Sequence, residues 1–310
     1  MKRFNTLFNS SLKSPVPLLN IIANYILRRK GKQMRPMFVF LTAKLHGEIN
    51  DSSYTAAALI ELLHTATLIH DDVVDDSYQR RGFFSINALW KSKIAVLIGD
   101  YLLAKGLLLA IEKREFELLN IVSEAVKEMS EGELMQIQKS RKLNITEKEY
   151  FEIIRKKTAT LIAACSASGS QSVGADKDIV LKMKQFGENI GVAFQIKDDL
   201  FDYQKTNILG KPTGNDIKEK KLTLPLIHSL GNTHASERRR ILNLIRHHNN
   251  NSTSVMEVIE FVKRNGGIEY SIAKMNEYKG NALKMLHQFP DNEARNALTD
   301  LVNFTTTRVS

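Results

Sequence analysis

The sequence predicts an all-α bundle folded as one domain. Three observations carry that expectation. All six prolines stand near apparent element boundaries, at Pro15, Pro17, Pro36, Pro212, Pro225 and Pro290, so Met37 to Lys211 contains no helix-breaking proline. Apolar residues recur at helical spacing, as in Leu59, Leu62, Leu63, Ala66, Ile69 and Val73, or in Ile153, Ile154, Leu161 and Ile162 around Thr158. Alternating, strand-like patterns are scarce.

The elements follow in order. A helix over 18–29 begins behind Pro15 and Pro17, and the next, over 36–46, opens on Pro36. The apolar stripe from Leu59 to Val73 belongs to a helix over 51–79, followed by helices over 86–112 and 116–139. The second stripe lies in a helix over 146–172, and 177–204 holds another. Beyond Pro212, helices are expected over 222–231, 235–248, 254–264, 268–288 and 292–307. The polar run HHNNNSTS, His247 to Ser254, reads as a surface turn rather than a domain linker, so one domain over 1–310 is expected.

Composition narrows the class. Apolar residues make up 43% of the chain, ample for a core. No stretch approaches the roughly 18 unbroken apolar residues of a membrane span, and MKRFNTLFNSSLKSP lacks the apolar segment of a signal peptide. A soluble, cytoplasmic protein is expected. The single cysteine, Cys165, excludes an internal disulfide and a multi-cysteine metal site, and AACSASG reads as helix packing. A formal charge of +10 suits nucleic acid, an anionic membrane or a polyanionic substrate. Nucleic acid is disfavoured, because the basic residues are spread along the chain and form no zinc, RNP or basic-zipper pattern.

The chemistry is carried by two acidic clusters, DDVVDD at Asp71 to Asp76 and DDLFD at Asp198 to Asp202. Carboxylates four residues apart share a helix face and repel by roughly 0.2–0.5 kcal/mol per pair. One such run is more often a solvated helix end. Two of them, each led in by apolar residues, point to a cation or a metal-bound ligand shared by the clusters. Magnesium joins one or two carboxylates to water and substrate phosphates, which suits Asp71 with Asp75 and Asp198 with Asp202. Diphosphate also needs basic side chains. Lys32 and Arg35 in GKQMRP, Arg80 and Arg81 after the first cluster, and Lys211, Lys220 and Lys221 after the second track the acids along the chain.

The runs HTATLIHDDVVDDSYQRRG, GKQMRP, KKT at Lys156 to Thr158, GVAFQIKDDLFDY and LGKPTGNDIKEKKLTLPLI together resemble the trans-isoprenyl diphosphate synthase family, closest in motif to its long-chain, octaprenyl-type members. The resemblance spans Gly31 to about Ile227 and implies a single-domain isoprenoid-synthase helical bundle around a central cavity. It implies that Lys32, Arg35, His64 and Arg81 bind isopentenyl diphosphate. Asp71, Asp75 and Asp198 would be ligands of Mg2+, with Asp72, Asp199 and Asp202 completing the acidic catalytic set. Arg80, Lys157, Thr158, Gln195, Lys211 and Lys221 would contact the allylic diphosphate, Arg80 and Lys157 also serving catalysis. Taken alone, His64 reads as a packing histidine and Gln195 as a buried amide.

The implied reaction ionises the allylic diphosphate, adds the double bond of isopentenyl diphosphate, and eliminates a proton, with no protein nucleophile. Ala66 and Thr67 are small where short-chain members often carry an aromatic residue, so a product of six or more isoprene units is expected, of the kind used in quinone side chains. Leu63, Leu59 and Ile60, with Met129, Leu134 or Met135, read equally as a tunnel floor or as helix packing. Gln33, Lys220 and Trp90-Lys91-Ser92 depart from the family pattern, the last from a frequent Trp-Gly-Asn and Lys220 from a common glycine. The alternatives are a farnesyl or geranylgeranyl synthase, a subunit of a heteromeric synthase, a class I terpene cyclase, and a helical interaction protein. A homodimer is implied by the resemblance. Peripheral association with a membrane would follow from a nearly insoluble product and a basic surface.

Overall fold

A computed structural model describes residues 1–28, 31, 33–80, 82–203 and 214–307. Fifteen α-helices and one two-residue hairpin make up the described residues, so the fold is all-α. The chain groups into two compact units, Met1–Val126 with Ala164–Lys184, and Lys127–Ala163 with Gln185–Ser310.

The first unit begins with a helix the periodicity did not predict, α1 (Lys2–Ser11), which exists because Phe4 and Phe8 stack on each other and bury completely or nearly so, Phe4 also meeting Phe40 edge-on. Then follow α2 (Pro17–Leu27), α3 (Met34–His46) and α4 (Asp51–Val74). A capping box starts α4, with the Asn50 side chain accepting from Ser53 N–H at 3.0 Å and Asp51 favourably placed in the first turn. The helix ends five residues earlier than its pattern suggested. Asp75 is its last capping residue, Asp76 takes φ +48°, and the chain turns into the hairpin β1 (Gln79–Arg80) and β2 (Phe83–Phe84).

Next comes α5 (Ile86–Glu112), whose bounds match the predicted ones, then α6 (Phe116–Lys142). A capping box of Thr146 and Glu149 starts α7 (Glu147–Ile154). The helix expected over 146–172 is continuous only in outline: a π-helical turn, Arg155–Ala159, separates α7 from α8 (Thr160–Ser172). Small residues in α8 let it pack closely. A Cβ on Gly169 would stand 2.4 Å from the Val39 carbonyl oxygen, and Cys165 is fully buried, which pushes its thiol up to about 12 and leaves it inert.

The second unit is completed by α9 (Lys177–Phe201), which begins in the first, and by α10 (Asn215–Lys218), α11 (Leu224–Gly231), α12 (Ala235–His247), α13 (Ser252–Arg264), α14 (Gly267–Leu286) and α15 (Glu293–Thr307). The short α10 was not predicted. One cluster of this unit joins Tyr203, Ile217, Leu226, Ile241 and Val258; another joins Tyr150, Ile154, Ile196, Leu200 and Leu224.

All three departures from the family pattern include a residue at positive φ, Gln33 at +50°, and two of them, Lys91 and Lys220, stand where the resembled family commonly has glycine. Lys91 takes φ 70° and ψ 160° inside α5, and Lys220 takes φ +58°. Both sit where a Cβ is disfavoured. Lys220 recovers one contact, its Nζ donating to the Arg246 carbonyl at 2.9 Å. The exposed Lys91 has no such contact among the described hydrogen bonds. Lys91→Gly is therefore expected to stabilise the protein by about 1 kcal/mol, the relief of strain outweighing the added backbone freedom of glycine. A urea-unfolding midpoint unchanged or lowered in that variant would contradict the strain at Lys91.

Candidate active site

The first acidic cluster stands at the C-terminal end of α4. Leu59, Ile60, Leu62, Leu63, His64, Ala66 and Ile69 are buried along the inner face of that helix, and the same face carries Asp72 into the unit at 4% exposure. Asp71 is half-buried and Asp75 exposed. Helical geometry persists to the cap, because the Asp75 N–H donates to the Asp71 carbonyl at 2.8 Å. The Ser77 N–H closes the turn onto the Asp72 carbonyl at 2.9 Å, and Ser85 Oγ donates to the Ser77 carbonyl at 2.6 Å, fixing the hairpin that carries Arg80. A helix C-terminus already bears partial negative charge, and no basic residue occupies the last turn of α4. Three features therefore favour a cation at this end: the i, i+4 carboxylates, the helix dipole and the buried third aspartate.

Of the other residues expected in this unit, Arg35 is half-buried in α3 and His64 is 7% exposed. Lys32 and Arg81 lie outside the described residues, as does Lys211, and the Arg80 side chain is not among those described. Ala66 is fully buried, and Thr67 Oγ1 donates to the His64 carbonyl at 2.9 Å. Leu59 and Leu63 pack toward Gly106 of α5, where a Cβ would meet both at 3.3 Å, so these two are helix packing whatever else they do. In the second unit Leu134 is 67% exposed, while Met129 and Met135 are half-buried.

The second cluster lies at the C-terminal end of α9, and one of its members, Asp199, lines a cavity of about 130 Å3 within the second unit. Asp199, at 5% exposure, is held on both carboxylate oxygens. Tyr150 Oη donates to Oδ2 at 2.6 Å, and Gln195 Nε2 donates to Oδ1 at 2.8 Å. The amide is fixed in turn by Thr158 Oγ1, which donates to Gln195 Oε1 at 2.7 Å. Burial pushes Asp199 well above the usual carboxylate range; the two hydrogen bonds oppose the shift, and Asp198 and Asp202 add to it. Asp216 of α10 is also pushed up, first by burial and then by Asp199 and Asp202, with Lys221 opposing.

Asp202 is not on the helix face shared with Asp198. It stands past the end of α9, and its carboxylate accepts the backbone N–H groups of Asn215 at 2.8 Å and Asp216 at 3.0 Å, while the Gly214 N–H donates to its carbonyl at 3.0 Å. Burial raises Asp202 and these donors lower it. Its role in the structure is to tie α10 to the end of α9.

Lys157 and Thr158 both line the cavity because the π-helical turn places an extra residue in the helix there. The three basic residues of that turn are held by glutamates of α6. Arg155 Nη1 donates to Glu128 at 3.0 Å, Lys156 Nζ to Glu131 at 2.6 Å, and Lys157 Nζ lies 2.5 Å from Glu133 and 3.4 Å from Gln136 Oε1. Gly132 permits this approach, since a Cβ there would stand 2.7 Å from the Lys157 backbone nitrogen. Lys221 lines the same cavity and pairs with Glu219 at 2.5 Å.

The second unit thus brings together Lys157, Thr158, Gln195, Asp199 and Lys221. Sequence reasoning did not single out Tyr150, Glu133, Gln136 or Asp216. Asp216 was within reach, because it lies in the quoted run GNDIKEKK, but Tyr150 carries no local signal for a contact with a residue 49 positions away. Among the described residues no three His, Cys, Asp or Glu side chains form a closed metal cage. Pairs of hard oxygen donors, with remaining positions open to water and phosphate oxygens, fit a magnesium ion.

An all-α protein that ends two helices in carboxylates, with Lys157 and Lys221 beside the second, has the equipment of an enzyme acting on a diphosphate ester through a divalent cation. Comparison with known proteins agrees. The family model described as polyprenyl synthetase matches residues 16–262. An all-trans-nonaprenyl-diphosphate synthase (geranyl-diphosphate specific) of Rhodobacter capsulatus is 35% identical over 303 residues, covering 97% of this chain and 92% of that one. The octaprenyl diphosphate synthase of Escherichia coli (strain K12) is 34% identical over 310 residues, covering 99% and 95%. A polyprenyl synthase from Caulobacter crescentus CB15, solved in complex with calcium and isoprenyl diphosphate, superposes with a TM-score of 0.92 at 34% identity, covering 100% of this chain and 95% of the other. The chain belongs to the polyprenyl synthetase family, and it is a prenyltransferase.

Proposed function

We propose that this protein is a trans-polyprenyl diphosphate synthase that condenses isopentenyl diphosphate with an allylic diphosphate, using Mg2+, and carries the product to six or more isoprene units for use as a quinone side chain. The observation that carries the reading is the placing of both acidic clusters at helix C-termini with no basic residue in either last turn. Bound magnesium would offset the charge that develops on a departing diphosphate. Asp71 and Asp75 would hold a magnesium ion of the first unit, and Asp198 would hold one of the second.

The chain's own residues have definable tasks. Lys157 and Lys221 offer ammonium charge to diphosphate oxygens, and Gln136 and Glu133 orient Lys157 before substrate arrives. The Thr158–Gln195–Asp199–Tyr150 chain of hydrogen bonds fixes Asp199, the neighbour of Asp198 in the chain. Arg35 and His64 are assigned to isopentenyl diphosphate with Lys32 and Arg81, and Arg80 and Lys211 join the allylic set. The long product is supported by the small Ala66 and Thr67 one turn before Asp71, and by the nonaprenyl and octaprenyl products named for the two relatives.

We also propose a homodimer formed through α5. Leu89, Val96, Leu97, Leu107, Leu108 and Ile111 are exposed on that helix. The helix is long and apolar enough to cross a membrane by length and composition, and one third of its most apolar stretch is buried. The face is read as covered by a second copy.

Purified protein given isopentenyl diphosphate, an allylic primer and Mg2+ is expected to yield hydrolysed products of six or more units, and Ala66→Phe to shorten them. No elongation would overturn the enzyme reading; products of three or four units, or lengths untouched by Ala66→Phe, would overturn the long-product reading. Light scattering on the eluted protein is expected to give a mass near twice 35.1 kDa. A monomer would contradict the dimer.

A further inference from the structure

The basic residues are spread along the chain, but the excess positive charge is not. The first 47 residues carry nine Lys and Arg and no Asp or Glu, whereas the other 263 carry 35 and 34. Nearly all of the net charge of +10 therefore belongs to the N-terminal segment. Lys32 and Arg35 account for two of these residues through the proposed substrate site. Lys2, Arg3, Lys13, Arg28, Arg29, Lys30 and Lys44 are left without a role there.

The same segment exposes apolar side chains. Between α1 and α2, and on the outer face of α2, Val16 is 49%, Leu18 40% and Ile21 58% exposed, with Pro15 and Pro17 exposed beside them. These are not core residues caught at an edge, because α2 already has an inner face: Ile22 and Ala23 are buried, and Leu19 and Ile26 line a small cleft with Ile98 and Leu102. The segment is also held firmly. Tyr25 packs edge-on against Trp90 with ring centroids 5.1 Å apart and donates to the Phe84 carbonyl at 2.6 Å, while Tyr101 Oη donates to the Lys13 carbonyl at 3.2 Å. Leu18, Ile21 and Arg28 fall on one side of α2 at i, i+3 and i+10, and the exposed Lys13 precedes them.

We propose that residues 13–28 dock on the surface of a bilayer that contains anionic lipid, with Val16, Leu18 and Ile21 entering the headgroup layer and Lys13 and Arg28 meeting lipid phosphates. An exposed apolar turn flanked by basic residues, in a segment with no acidic residue, matches that surface in both polarity and charge. Nucleic acid would use the charge but leave the three aliphatic side chains unexplained. Docking would set a synthase of hydrophobic chains beside the phase in which those chains dissolve. The surface is independent of the catalytic assignments.

The test is co-sedimentation of the full chain, without substrate, on vesicles of phosphatidylcholine alone or with about 30% phosphatidylglycerol. Binding is expected to be about tenfold tighter on the anionic vesicles and to weaken as salt rises from about 0.05 to about 0.5 M. Leu18→Asp with Ile21→Asp is expected to remove at least about tenfold of it, at unchanged helical content and solution mass. Should that variant fold poorly, Lys13→Glu with Arg28→Glu, both exposed, carries the same expectation. Equal binding to neutral vesicles, binding that survives both variants, competition by single-stranded RNA that abolishes it, or a halved solution mass in the aspartate variant would each overturn the proposal, the last by making this face an interface between copies.

Discussion

Negative charge gathered at two helix C-termini is the constraint on which the rest depends. Each cluster combines like-charge repulsion along the chain with an unfavourable helix dipole, the latter worth roughly 0.3–1 kcal/mol per charge. Burial is added in both units, at Asp72 in the first and at Asp199 in the second, where the half-buried Asp216 stands nearby. Protein donors hold this charge only in part. Tyr150 and Gln195 each donate to Asp199, backbone N–H groups donate to Asp202, and Lys221 opposes the rise at Asp216. Asp199 and Asp202, two of the three carboxylates of DDLFD, are thereby committed to contacts within the protein.

The π-helical turn follows from the same demand. Lys157 and Thr158 must both reach the cavity, and an unbroken α-helix would turn adjacent side chains about 100° apart. The extra residue is stabilised from outside by the glutamates of α6 and by the close approach at Gly132. Arg155 and Lys156 meet glutamates of α6, while Lys157, itself paired with Glu133, and the Thr158 hydroxyl line the cavity. Local irregularity and charge pairing therefore serve one arrangement.

Helix existence was legible because the apolar stripes are long and the prolines are confined to boundaries; α5 matches its predicted bounds, and Cys165 is the packed residue its small neighbours suggested. Breaks inside periodic sequence were not legible. The π-helical turn preserves enough of the apolar stripe that 146–172 reads as one helix, and Asp76 ends α4 by a left-handed backbone that its acidic neighbours do not announce. The acidic clusters were legible as charge, but the way Asp199 and Asp202 are held depends on Tyr150 and on the backbone at 214–216, which come from distant sequence. The substitutions at Lys91 and Lys220 read as changes of side chain, and their consequence is in the backbone: each puts a Cβ at positive φ. The N-terminal charge was visible from composition, yet only exposure on α2 shows that it surrounds aliphatic side chains.

If the carboxylates at each helix end help to hold a cation with its diphosphate, ligand-induced stabilisation must depend on Asp71 and on Asp198. The direct measurement is the thermal unfolding midpoint of the full chain with Mg2+ alone, inorganic diphosphate alone, and the two together. Wild-type protein is expected to be stabilised clearly more by the combination than by either alone, and Asp71→Ala and Asp198→Ala each to lose most of that increment while keeping wild-type helical content. An increment that persists in both variants would contradict the assignment of these carboxylates.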